Sequence, residues 1–242
     1  MPKFSKLLHA VRQGERPMVL IASLPANDPE LVQACLEGGA DVIKVHLNLQ
    51  HRASANKIGT LAEERSALQK ILELAKDVPC GIVPAASPAA VNADELAELI
   101  EMGFDFLSLY LRDAPVGVLP PVTKMDRMLA LSSEDPLEMA ASLDGLEMQV
   151  LEASIMQKES YGQPLTYRDL AQYRQLRQST HLPLVIPSQH AFAPAALADL
   201  AAIGAEAVML GTIVAGTTPQ SWRATFNAFR QEADRLFAIS QG

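Results

Sequence analysis

The sequence predicts an α/β protein, a single (β/α)8 TIM barrel occupying residues 1–242, from an internal repeat, a second set of strands between its copies, and helical periodicity in the gaps. Each copy of the repeat leaves a helical stretch through a glycine and an acidic residue into a β-rich run. The copies are residues 39–46 (GADVIKVH), 103–110 (GFDFLSLY), 145–152 (GLEMQVLE) and 204–211 (GAEAVMLG). Glycine after a helix takes the left-handed conformation that other residues resist, which accounts for its recurrence. The runs between the copies, at 17–23 (PMVLIAS), 79–85 (PCGIVPA) and 183–188 (PLVIPS), begin with proline, which gives up no essential ladder bond at a strand's first position. The less regular run 126–132 (DRMLALS) brings the strands to eight. A doubly wound open sheet is the competing topology, and the alternation of two strand types favours closure.

Taken in order, the first strand at 17–23 leads to a helix with Asp28 as N-cap, Pro29 at its first position and an apolar stripe of Leu31, Val32, Cys35 and Leu36. The second strand alternates Lys44, His46 and Asn48 with Ile43, Val45 and Leu47, so its polar groups share one face. Amphipathic stretches at 60–77, 92–102, 136–143, 166–180, 194–203 and 219–239 predict the remaining helices. Pro115, Pro120 and Pro121 argue against a full helix after the fourth strand.

Composition narrows the function classes. A net charge of −8 without a cluster of Lys and Arg argues against a nucleic-acid surface. Residues 1–17 carry five charges and no long apolar core, and the most apolar stretch, 191–216, is broken by Asp199 and Glu206, so neither a secretory signal nor a membrane span is expected. Cys35 on an apolar helix face and Cys80 in a strand read as small buried hydrophobes of a reduced, cytoplasmic protein. Association into a homo-oligomer is left open.

Barrel interiors are built in layers of four side chains from alternate strands. Aligned on their glycines, the four copies place Lys44, Ser108, Val150 and Met209 in one layer and His46, Tyr110, Glu152 and Gly211 in the next, with Asn48, Arg112 and Ser154 at the strand tips. The interior thus grows more polar toward the carboxyl face, where active sites of this fold lie. Lys44 reads either as the partner of Glu152 in a buried ion pair or as a Schiff-base or proton-transfer group, with Glu152 the complementary acid or base. His46 suits carbonyl polarisation or a hydrogen-bonded wall, and Tyr110 either meets a substrate or caps the core. In the loops, His51, Arg52 and Lys57 follow strand two, Lys158 and Tyr161 follow strand six, and Ser188, Gln189 and His190 follow strand seven. The spacing of His46 and His51 brings no carboxylate with it, so no metal is expected.

Residues 183–214 (PLVIPSQHAFAPAALADLAAIGAEAVMLGTIV) resemble the last quarter of the phosphate-binding (β/α)8 barrel superfamily, which includes N-acetylmannosamine-6-phosphate 2-epimerase, the tryptophan synthase α-subunit and ribulose-phosphate-binding barrels. The resemblance implies that Gly211 and Thr212 bind phosphate through backbone N–H groups. Where that superfamily has a Gly-Gly run after strand seven, this chain has Ser188, Gln189 and His190, whose side chains would replace the backbone donors. Residues 204–212 (GAEAVMLGT) also resemble flavin-binding nitronate-oxidising barrels. The expectation is an enzyme acting on a small anionic, phosphorylated carbonyl metabolite, as isomerase, epimerase or carbon–carbon lyase. Lys44, Glu152 and His46 would be catalytic, and Asn48, Arg52, Tyr110, Ser154, Ser188, Gln189 and His190 substrate-binding, with no cofactor. A non-catalytic small-molecule-binding or regulatory barrel and an FMN-dependent oxidoreductase are the alternatives.

Overall fold

The computed structural model describes residues 3–51 and 53–242. Its parallel strands are β1 (Val19–Ser23), β2 (Val42–His46), β3 (Cys80–Val83), β4 (Phe106–Tyr110), β5 (Asp126–Ser132), β6 (Val150–Ser154), β7 (Leu184–Pro187) and β8 (Ala207–Leu210). Each pairs with its neighbours in sequence and β8 pairs with β1, closing the barrel. The outer helices are α2 (Pro29–Glu37), α3 (Leu61–Leu74), α4 (Ala93–Met102), α5 (Tyr167–Ser179), α6 (Leu197–Ala202), the short α7 (Thr212–Ala215) and α8 (Pro219–Gln241), and α1 (Lys3–Arg12) precedes β1. Asp28 caps α2 as expected, its side chain accepting from the Glu30 amide, and Gly103 ends α4 at φ 106°. After β4 stands only a 3-10 turn, Leu111–Asp113. The stretch expected as a helix at 136–143 is instead the 3-10 segment Leu137–Ser142, confined between Pro136 and the Gly145 turn. Among the described residues no helix is long and apolar enough to cross a membrane.

The acidic residue of the repeat has one recurring task. Asp41, Asp105 and Glu206, each one residue before its strand, accept the amide hydrogens of Leu20, Cys80 and Leu184 at 2.8, 3.0 and 2.6 Å. Each also gives its own amide hydrogen to the carbonyl of that same residue. The result is a two-bond clasp between an even strand and the odd strand before it. In the third copy this place is filled by Gln149, whose Oε1 accepts from the Arg127 amide at 2.9 Å, while Glu147 lies on the surface beside the Arg127 guanidinium. Gly145 therefore stands five residues before its strand, where Gly39, Gly103 and Gly204 stand three before theirs. Alignment on the glycines consequently misplaces Glu152 and Ser154 by one layer.

The pairing register gives the corrected layers. Val42, Phe106, Val150 and Ala207 form one layer, followed by Ile21, Gly81, Met128 and Val185, and then by Lys44, Ser108, Glu152 and Met209. Helix α1, which the sequence reading left unassigned, plugs the bottom with Phe4 and Leu8, both fully buried, and Phe4 stacks on Phe106 at 4.1 Å between centroids. Gly81 makes room for that stack, since a Cβ on it would stand 2.1 Å from the Phe106 ring. With Phe4 behind the ring, Gly81→Ala is expected to cost about 1–3 kcal/mol by overpacking. A urea-denaturation midpoint equal to that of the parent would show that the ring can yield.

Candidate functional site

The third layer is the floor of a cavity of about 170 Å³ open to the carboxyl face. Lys44 Nζ donates to Glu152 Oε2 at 3.2 Å and to Met209 Sδ at 3.5 Å, and Ser108 Oγ donates to the same Glu152 oxygen at 3.3 Å. All four side chains come from the third residue of an even strand, which is why contacts so far apart in sequence meet on one level. Above them the odd strands contribute Ser23, Val83, Ala130 and Pro187, and these small side chains leave the void.

The next even-strand level holds His46, Tyr110 and Ser154, with Gly211 directly after β8. One wall is a continuous polar chain. Tyr110 Oη and Ser154 Oγ are 3.0 Å apart, and Gln189 Nε2 donates to Ser154 Oγ at 2.9 Å and to Tyr161 Oη at 2.6 Å. Gln189 Oε1 accepts from the Met156 amide, so this residue ties the loop after β6 to the mouth. Ser188 Oγ accepts from the Gly211 amide at 2.9 Å, and both residues line the cavity. A serine hydroxyl thus occupies the place that the superfamily resemblance reserves for an anion's oxygen.

The opposite wall carries two imidazoles. Asn27 holds the backbone of His46, donating to its carbonyl at 2.8 Å and accepting from its amide at 3.3 Å. His46 Nδ1 is buried without a partner. A short hairpin, Leu49–Gln50 paired with Lys57–Ile58, brings His51 edge-on to His46 with centroids 5.1 Å apart. Burial first, then the Lys44 charge and His51, hold the pKa of His46 well below the usual imidazole value. Burial and Lys44 lower that of His51 to about 4. Both rings are therefore uncharged near neutral pH.

Of the residues singled out from the sequence, Lys44, His46, Tyr110, Glu152, Ser154, Ser188, Gln189 and Gly211 line the cavity together. Three do not. Asn48, at φ 53°, points its amide at the Pro84 carbonyl and Glu95 and anchors the loop after β2. His190 is spent between Asp169 Oδ2 at 3.0 Å and Ser160 Oγ at 2.9 Å, pinning the loop after β6 to α5. Thr212 is outside the cavity lining, with its hydroxyl buried and unpartnered. Arg52 lies outside the described residues. Ser23, Ser108, His51, Asp113 and Tyr161 also line the cavity. Ser108 was legible from its register with Lys44, whereas nothing in the sequence distinguishes Asp113 from an ordinary loop carboxylate. Among the described residues no three His, Cys, Asp or Glu side chains are grouped to hold a metal ion.

No family model and no curated protein matches the sequence. Solved structures do match in shape. Tryptophan synthase from Mycobacterium tuberculosis aligns with a TM-score of 0.69 at 15% identity over 96% of this chain and 98% of that one. Thiamine phosphate pyrophosphorylase from Pyrococcus furiosus aligns at 0.64 and 16% over 90% and 96%, and phosphoribosyl anthranilate isomerase from Thermus thermophilus at 0.60 and 15% over 90% and 100%. At such identities the likeness establishes the fold, a (β/α)8 barrel.

Proposed function

We propose that the chain is an enzyme acting on a small phosphorylated carbonyl metabolite, as an isomerase, epimerase or carbon–carbon lyase, with Lys44 and Glu152 as its proton-transfer pair. The observation that carries this reading is the 3.2 Å contact of Lys44 Nζ with Glu152 Oε2 on the floor of an open cavity, beneath two uncharged imidazoles. A pair serving only the core gains little, because apolar residues of similar volume commonly stabilise as well or better. In the enzyme, Glu152 takes a proton from the carbon beside the substrate carbonyl while Lys44 hydrogen-bonds the oxygen on which charge develops. In an imine variant of the same chemistry, Glu152 instead accepts the ammonium proton and the free amine attacks the carbonyl.

Phosphate belongs to the proposal on two grounds. Two of the similar structures carry a phosphate or phosphoribosyl compound in their names. Ser188 Oγ on the Gly211 amide also marks a donor at the mouth that an anion oxygen can take over.

The test incubates the protein in D2O with triose, tetrose and pentose phosphates, with and without borohydride. Deuterium entering the carbon beside the carbonyl is the expected result. A borohydride-fixed adduct at Lys44 assigns the imine variant. Neither signal across the panel leaves a binding or regulatory barrel, in which the pair is a structural bridge.

A further inference from the structure

Resting on the proposed proton-transfer reading, we infer that His51 is a second substrate-contacting catalytic residue, giving its Nε2 proton to the substrate oxygen. The hairpin's geometry fixes the ring. The Ser54 amide donates to His51 Nδ1 at 3.2 Å, and an amide nitrogen can only donate, so Nδ1 holds a lone pair and the ring proton is on Nε2. Ser54 Oγ lies 2.9 Å from the same nitrogen. The backbone is tied as well: the His51 amide donates to the Asn56 carbonyl and its carbonyl accepts from Ala55, both at 2.8 Å. His51 lines the cavity, and among the described residues no protein group takes up Nε2. Burial and the Lys44 charge keep the ring neutral, and a neutral imidazole suits donation to an oxygen that becomes an enediol hydroxyl.

The step balances. Glu152 takes the proton from carbon, the C–H electron pair becomes the C=C bond, and the carbonyl π pair moves to oxygen, which takes the Nε2 proton. The imidazolate then removes the proton of the neighbouring hydroxyl while Glu152 returns its proton to the other carbon. No proton is gained or lost, and an aldose and a ketose interconvert. His46 stands on the strand itself. Its ring contributes the edge contact that orients His51.

Glycolohydroxamate, a planar mimic of an enediolate, is the probe. In 15N-labelled protein, long-range proton–nitrogen spectra are expected to show His51 protonated at Nε2 between pH 5.5 and 8 and to show that resonance shifting when the hydroxamate binds. His51→Phe is expected to weaken binding roughly ten- to a hundredfold, and His51→Gln, which keeps an N–H donor, to recover most of the loss. Equal affinity for the parent and His51→Phe, with Lys44→Met still abolishing binding, overturns the role of His51 and leaves the proposed function standing. A hydroxamate that perturbs no cavity residue overturns both.

Discussion

Lys44→Met is expected to destabilise the protein by about 3–5 kcal/mol, the cost of leaving a buried carboxylate without its cation. The side chains of Lys44 and Glu152 are only 6% and 7% exposed, so solvent cannot replace the lost partner. Ser108 Oγ remains as a donor to Glu152 and does not carry a charge. The double variant Lys44→Met with Glu152→Leu is expected to regain most of the loss while remaining inactive, because two apolar side chains fill the layer with no charge to solvate. The same substitution reports on the histidines, since Lys44 is the second cause of the depressed values at both rings. His51, near 4 in the folded protein and about 6.5 when unfolded, takes up its proton only on unfolding within that window. Its contribution is therefore intact above pH 6.5 and lost as pH falls toward 4, by roughly 3 kcal/mol at most. In Lys44→Met that acid-induced loss should shrink as the His51 value climbs. Urea denaturation at pH 7.5 and 4.5, with imidazole titration by NMR, checks both parts. A single variant as stable as the parent, or a His51 titration that does not move, would remove Lys44 as the charge that organises this cavity.

The barrel was legible because its cause is local. The glycine after each helix and the residue that clasps the preceding strand repeat in every copy, and strand alternation then tells inside from outside. The layer of Glu152 was not, because Gly145 is followed by a longer turn and Glu147 imitates the motif's acid. The clasping residue is in fact Gln149, and the only signal in the sequence is that its carboxamide can do the same hydrogen bonding. Lys44, His46 and Tyr110 could be assigned to the barrel interior from period and polarity alone. The duties of Asn48 and His190 could not, since Pro84, Glu95, Asp169 and Ser160 are brought to them only by tertiary packing. Helix α1 was obscured by its charges: Phe4 and Leu8 make a stripe too short to stand out until the open barrel bottom is there to receive it.

Glu206→Ala is expected to cost a further large amount, again about 3–5 kcal/mol, at the opposite end of the barrel. Glu206 is 4% exposed and meets the guanidinium groups of Arg12 and Arg177 as well as the Leu184 amide. Its removal leaves a buried strand N–H and two cations unmatched. Arg177 suffers more, because burial already lowers its pKa and Glu206 is the first influence opposing that. Glu206→Gln separates the two duties. Gln149 performs the same clasp without charge in the third copy, so the glutamine variant should keep the strand bond and lose only the ion pairs, costing clearly less than alanine. Hydrogen exchange at the Leu184 amide distinguishes them: protection should fall in Glu206→Ala and persist in Glu206→Gln. Equal destabilisation in both variants would mean that charge alone matters and that the shared clasp of the four copies is incidental. Glu206 precedes β8 while the cavity lies beyond the strands' carboxyl ends, so folded molecules of either variant should bind glycolohydroxamate as the parent does. A loss of affinity there would show that barrel closure and site geometry are coupled through β8, whose Met209 touches Lys44 three residues after Glu206.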